Sequence, residues 1–191
     1  MTDYSQTAAN NAEVIQYLRN EKGIDSGLLA QLSSEGKIEH LYGNSKPLVL
    51  KGDVDQMKNG QTSNVVLVFD KNIDLLSFAT LSKDKSTLES VFGEDHKIAL
   101  RASQDTPFFE PLKKFLEDNP DTDVIIPCFA EKVGFDGVMN TLKDEFGNDY
   151  KIGSNMSPRG GSWNKALMEH HEANQLTDEQ EEGLDMEYDD D

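Results

Sequence analysis

The chain has 191 residues, of which 36% are hydrophobic and 28% are charged, which suits one folded domain with appendages. Its formal net charge is −18, and the segment from Glu172 to Asp191 holds ten acids and no Lys or Arg, so the rest of the chain still carries −8. A surface of this kind repels phosphate backbones, and every group of basic residues is interleaved with acids. Direct nucleic-acid binding is therefore disfavoured.

Several other classes of protein are excluded by simple features of the sequence. No apolar stretch has the length needed to cross a membrane, and no Cys/His spacing resembles a zinc site. The N-terminal MTDYSQTAANNAE lacks the basic region and apolar core of a secretion signal, so a cytoplasmic location is expected. Cys128, the single cysteine, lies in the apolar run DVIIPCF and is expected to be a buried structural thiol.

The first part of the chain predicts two short helices. Apolar residues recur at helical spacing in Asn11–Lys22. They recur again after Asp25 or Ser26, either of which can cap a second helix that ends at Gly36. We therefore assign residues 1–45 to an N-terminal helical module.

The next part of the chain alternates between apolar runs and amphipathic segments, which is typical of an α/β fold with a mostly parallel sheet covered by helices on both faces. We assign residues 46–173 to this domain, and the acidic residues 174–191 to a disordered tail. Strands are predicted at Pro47–Leu50, Val65–Phe69, Ile98–Leu100, Val124–Phe129 and Tyr150–Ile152. Helices are predicted at Asp74–Ser82, Pro107–Asp118, Val133–Phe146 and Ser162–Ala173, with Ser162 as an N-cap.

The segment Val65–Leu81, VVLVFDKNIDLLSFATL, combines a buried strand with an acid at its tip and a helix directly behind it. Open α/β sheets bind ligands and metals at this position, beyond the carboxyl ends of the strands. Asp70 and Asp74 are therefore candidate site residues. The structural alternative is that Asp70 is a solvated acid at the strand end and that Asp74 caps its own helix.

Three stretches in this order resemble the Toprim-like domains of plasmid mobilisation and primase-type proteins. They are VIQYLRNEKGIDSGLLAQLSSEGKI (Val14–Ile38), VFDKNIDLLSFATL (Val68–Leu81) and PRGGSWNKAL (Pro158–Leu167). In that family a small helical module precedes the Toprim fold, the strand tip has the form VFESPIDALS, and the last strand leads into P-x-G-K-D-W-N. The resemblance implies a Toprim-like, Rossmann-like sheet over most of Val14–Ala173.

The resemblance also implies a particular chemistry. Toprim domains use a glutamate at the first strand tip and a D-x-D pair at a later one to hold Mg²⁺ against a phosphate. The glutamate position is Asp70 here, whose carboxylate is retracted by about 1.5 Å, and the aspartate of the family's P-I-D segment is Asp74. The D-x-D pair falls on Phe129 and Glu131, so at most one oxygen ligand remains. The resemblance therefore implies a degenerate metal site, with Asp70, Asp74 and Glu131 as vestigial candidate ligands. No cofactor is expected, and a bound Mg²⁺ ion is the alternative.

The closing motif has lost charge in the same way. Its lysine corresponds to Gly161 and its aspartate to Ser162, whereas Trp163 and Asn164 are kept. Arg159 could contact a phosphate, and Trp163 and Asn164 could contact a partner. The structural alternative for Trp163 is a helix-start residue packed on the sheet.

Three hypotheses about function follow. The first is a catalytically inactive Toprim-like protein of a mobile genetic element, plasmid or phage, that regulates DNA processing through protein interaction. The second is an acidic nucleic-acid mimic that inhibits a host protein, for example a defence protein with a basic nucleic-acid-binding surface. The third is a residual Mg²⁺-dependent nuclease or primase-type enzyme, which requires Asp70, Asp74 and Glu131 to converge.

Overall fold

A computed structural model describes residues 4–41, 48–50, 65–69, 71–82, 96–99, 109–129, 135–156 and 161–185. Asp70, Glu131 and Arg159 lie outside these described residues. The helices are α1 (Tyr4–Lys22), α2 (Ser26–Ser34), α3 (Asn72–Leu81), α4 (Phe109–Asp118), α5 (Phe135–Phe146) and α6 (Trp163–Asp185), with a 3₁₀ turn at Ile38–Leu41. The strands are β1 (Leu48–Leu50), β2 (Val65–Phe69), β3 (His96–Ala99), β4 (Val124–Pro127) and β5 (Lys151–Ile152).

The five strands form one sheet in the order β1-β3-β2-β4-β5. All neighbouring strands are parallel except β1, which runs antiparallel to β3. The chain passes from β2 to β3 on one side and then returns to place β4 on the other side of β2. The carboxyl ends of β2 and β4 therefore meet at a topological switch point, where α/β sheets bind ligands.

Strand β2 is buried along its whole length because helices cover both faces of the sheet. Val65, Leu67 and Phe69 pack into a core shared with α1, α2, α3 and the start of α6. Val66 and Val68 pack into the opposite core, with α4 and α5. This alternation explains why β2 is a continuous apolar run in sequence.

The N-terminal helices share the first of these cores with the sheet. Leu18 of α1 and Leu28, Leu29 and Leu32 of α2 are buried in the same cluster as Leu67 and Phe69. The backbone N–H of Asp25 also donates to Thr80 Oγ1 of α3 at 3.2 Å. The helical hairpin is thus packed directly onto the α/β body.

Most of the predicted elements are confirmed, with their ends shifted by a few residues. Asp25 caps α2, since its Oδ1 accepts the Leu28 N–H at 2.7 Å, and Cys128 is fully buried. The last helix continues to Asp185, past Asn174, where the sequence was expected to become disordered. Residues 186–191 lie outside the described residues.

In the part of the chain that the structure describes, no helix combines the length and the apolar character that crossing a membrane requires.

Candidate functional site

Three of the six candidate site residues are described, and two of them are bonded to each other. Asp74 lies in the first turn of α3, and Trp163 and Asn164 begin α6. These two helices pack closely against each other, which brings the strand-tip segment and the closing motif into contact.

Asp74 is almost completely buried, at 1% exposure. Its Oδ1 accepts the backbone N–H of Asn164 at 3.2 Å, within the first turn of α6. The expected structural role, capping its own helix, is therefore wrong in detail. Helix α3 begins two residues earlier, with Lys71 at the N-cap, and Asp74 stabilises the N-terminus of α6 instead. Its Oδ2 has no hydrogen-bond partner among the described residues.

Asn164 connects three elements of the fold through one side chain. Its Nδ2 donates to the Lys22 carbonyl oxygen at the end of α1, at 2.9 Å, and to Ser77 Oγ of α3, at 3.1 Å. Ser77 Oγ in turn donates to the Ile73 carbonyl oxygen at 2.8 Å. Asn164 therefore holds the helical hairpin, α3 and α6 together.

Trp163 belongs to the core, with 7% of its surface exposed. Its ring packs edge-on against Phe78 of α3, with 4.9 Å between ring centroids and 81° between planes. It is a helix-start residue as expected, but its aromatic neighbour is on a helix and not on the sheet. Ser162 acts as the predicted N-cap, since its Oγ accepts the Lys165 N–H at 3.2 Å.

Phe129 follows β4 at the switch point. Its side chain is 4% exposed and packs in the core formed with α4 and α5, on the opposite face of the sheet from Asp74. Both of its backbone polar groups are held by Asn155, whose Oδ1 accepts the Phe129 N–H at 3.0 Å and whose Nδ2 donates to its carbonyl oxygen at 3.1 Å. The β4 tip is thus fixed by an amide side chain.

The described residues do not fit a Mg²⁺ site of the family type. Phe129 offers no oxygen ligand, and one oxygen of Asp74 is already bonded to α6. Within the described ranges, no three His, Cys, Asp or Glu side chains are placed to hold a metal ion. Whether Asp70 and Glu131 converge with Asp74 lies outside the described residues.

A cavity of about 510 Å³ lies between α1, the 3₁₀ turn and the starts of α3 and α6. Its lining includes Tyr17 and Lys22 of α1, together with Asp74 and Asn164. Sequence reasoning missed Lys22 and Asn155, because each is bonded to a residue distant in the chain, and it missed Tyr17, because the cavity that it lines is formed by several elements. Beside the turn after α1, His171 Nε2 of α6 lies 3.1 Å from the Gly23 carbonyl oxygen.

Comparison with family models, curated proteins and solved structures gave no match to this chain.

Proposed function

We propose that this chain is a catalytically inactive Toprim-like protein of a mobile genetic element, plasmid or phage, which regulates DNA processing by binding another protein. The observation that carries the proposal is the state of Asp74. This acid of the family pattern is 1% exposed and bonded to the start of α6, so it acts in the scaffold. Phe129, buried where a metal ligand is expected, supports the same conclusion.

The proposal distinguishes the residues that hold the fold together from the residues that would bind a metal ion. The residues of the pattern that hold the fold are present and used, as Asn164 and Trp163 illustrate. The family's second ligand cluster has lost an oxygen donor at Phe129, and a phenyl ring cannot replace it. A fold that keeps its framework without its ligands is suited to binding a partner.

An acidic nucleic-acid mimic is the second candidate, and the charge distribution favours it. Ten acids and no basic residue occur from Glu172 to Asp191. A segment of this kind is attracted to the basic groove of a nucleic-acid-binding protein, with an association rate that falls as salt increases.

Two assays on the full chain test the proposal. The first incubates the protein with single- and double-stranded DNA and with nucleotides, with and without Mg²⁺. We expect neither cleavage nor primer synthesis. A Mg²⁺-dependent activity that is lost in both Asp70→Ala and Glu131→Ala would contradict the proposal and favour the residual enzyme.

The second assay separates the two binding functions by affinity capture and mass spectrometry. The matched variant is a full-length chain in which the ten acids of 172–191 are replaced by Asn and Gln. We expect both proteins to retain a DNA-processing partner. Loss of a basic host protein from the neutralised variant alone would favour the nucleic-acid mimic.

A further inference from the structure

The cavity between α1, α3 and α6 combines a charged region with an apolar wall. Its volume of about 510 Å³ lies within the usual range for small-molecule sites, about 300–1,000 Å³. Such sites fix their ligands with a few polar groups and use apolar contacts for affinity. The polar lining of this cavity includes Asp74, Lys22 and the start of α3.

Asp74 provides an unsatisfied acceptor beside the cavity. Only 1% of the surface of Asp74 is exposed, and its Oδ2 has no hydrogen-bond partner among the described residues. A buried carboxylate oxygen without a donor costs free energy, and an ammonium group offsets that cost best. Asp74 lines the cavity and its Oδ2 is buried, so a ligand contact to this oxygen requires the lining side chains to shift.

Lys22 provides the opposite charge. Its Nζ lies 5.4 Å from the centroid of the Tyr17 ring, and it forms no ion pair with Asp74 or any other described residue. Asn164 contacts both residues, through its backbone N–H to Asp74 Oδ1 at 3.2 Å and its Nδ2 to the Lys22 carbonyl oxygen at 2.9 Å. Asn164 therefore ties the Lys22 backbone to the Asp74 carboxylate, and the two residues of opposite charge line the same cavity.

The start of α3 adds to the anion-binding end. Lys71, Asn72 and Ile73 line the cavity, and the Lys71 side chain does not cap the helix. Backbone N–H groups at a helix N-terminus favour a carboxylate. The rest of the lining combines an aliphatic wall with three polar side chains. The wall consists of Val14, Leu18, Leu41, Ile73 and Leu76, and the polar side chains are Tyr17, Ser162 and Asn164.

We propose that this cavity binds a free α-amino acid with an apolar side chain. The ammonium group bonds to Asp74 Oδ2, the carboxylate lies at Lys22 and the start of α3, and the side chain packs on the aliphatic wall. The inference is independent of the proposed function, since it needs neither a protein partner nor a nucleic acid.

Isothermal titration calorimetry on the full chain tests the inference with defined probes. L-leucine and L-phenylalanine are compared with isopentylamine, which lacks the carboxylate, and 4-methylpentanoate, which lacks the ammonium group. We expect the amino acids to bind, and each analogue to bind at least about tenfold more weakly. No binding of either amino acid up to about 10 mM, or equal binding of an analogue, would overturn the proposal.

Substitutions at Lys22 and Asp74 then test which residue binds the carboxylate of the ligand and which binds its ammonium group. Lys22→Met and Asp74→Asn should each weaken leucine binding at least about tenfold. The matched control is Lys113→Met, an exposed lysine on α4 across the sheet, which should leave binding unchanged. Circular dichroism checks that each variant is folded. Because Lys22→Met removes no core contact, this variant still tests the proposal if Asp74→Asn unfolds. Unchanged binding in folded Lys22→Met would contradict the assignment.

Discussion

At the scale of single residues, Asp74 is an acid whose sequence context suggests a ligand and whose surroundings give it a structural role. Its Oδ1 bonds to the start of α6, and its burial leaves Oδ2 without a partner among the described residues. The first contact stabilises the fold and the second costs free energy. Replacing Asp74 by Ala and by Asn therefore distinguishes the contribution of the hydrogen bond to stability from that of the buried carboxylate.

We expect Asp74→Ala to lower the free energy of unfolding by about 1–2 kcal/mol, because α6 loses a bond at its N-terminus. Asp74→Asn keeps an oxygen acceptor and removes the buried charge, so its loss should be smaller, under about 1 kcal/mol. Urea unfolding followed by the fluorescence of Trp163 measures both values. An alanine variant as stable as the wild type would show that the contact to Asn164 contributes nothing.

Gly23 offers a second test at the scale of single residues, because Gly36 has the same backbone conformation and serves as its control. Gly23 and Gly36 both have φ of 66°, which disfavours any other residue. A Cβ at Gly23 would lie 2.9 Å from His171 Cδ2 and 3.2 Å from Met168 Sδ, whereas a Cβ at Gly36 meets nothing within 4 Å.

Both Gly→Ala variants should therefore lose about 1 kcal/mol of stability from backbone strain. Gly23→Ala should lose a further 1 kcal/mol or more, about the cost of overpacking against α6. Thermal and urea unfolding of the two variants give the difference. Equal losses at the two positions would mean that α6 does not pack against the turn between α1 and α2.

At the scale of elements, the sequence predicts the order and type of most helices and strands. The apolar residues of α4 and α5 recur with a clear helical period, and β2 is a continuous apolar run. The ends were less predictable, since they depend on contacts with distant residues. Helix α3 begins at Asn72 and not at Asp74, because the acid is drawn to α6 by a contact that spans ninety positions in the chain. The same limit hid the role of Asn155 at the tip of β4.

A prediction for the tip of β4 concerns the stability of variants at Phe129. The substitution Phe129→Asp places a carboxylate in the apolar core with α4 and α5, and we expect the free energy of unfolding to fall by about 3–5 kcal/mol or more. Phe129→Leu, which keeps an apolar side chain, should cost only about 1–2 kcal/mol. Urea unfolding compares them. An Asp variant as stable as the Leu variant would show that this position tolerates a metal ligand.

The end of α2 gives a pH-dependent prediction. Lys37 is hydrogen-bonded to the Glu35 carboxylate, which lowers the pKa of Glu35, helped by a bond from Gln31. A lowered pKa in the folded state stabilises the fold above the ordinary carboxyl pKa, and the contribution disappears as the pH falls through the lowered value.

Because Glu35 is exposed, the effect is small. We expect Glu35→Gln to be slightly less stable than the wild type at pH 7, with a smaller difference at about pH 3. Unfolding curves at the two pH values test this. A difference of the same size at the lower pH would indicate a cause other than the charge of Glu35.

At the scale of the whole molecule, the N-terminal hairpin and the α/β body behave as parts of one core. Leu18 and Leu32 are buried with Leu67 and Phe69, and Asn164 bonds to the last carbonyl of α1. Asn164 thus joins the helical module to α3 and α6. We propose that Asn164 and Asp74, the latter above all, support the fold and do not hold a metal ion.

Thermal unfolding of the full chain at increasing Mg²⁺ concentration tests this claim most directly, because an ion that binds the folded state raises the melting temperature. The Asp70→Ala and Glu131→Ala variants serve as references, and CaCl₂ and NaCl at matched ionic strength correct for screening. We predict that Mg²⁺ gives no more stabilisation than NaCl and that the wild type and both variants respond alike. A Mg²⁺-specific rise in the wild type that both variants lose would contradict the account.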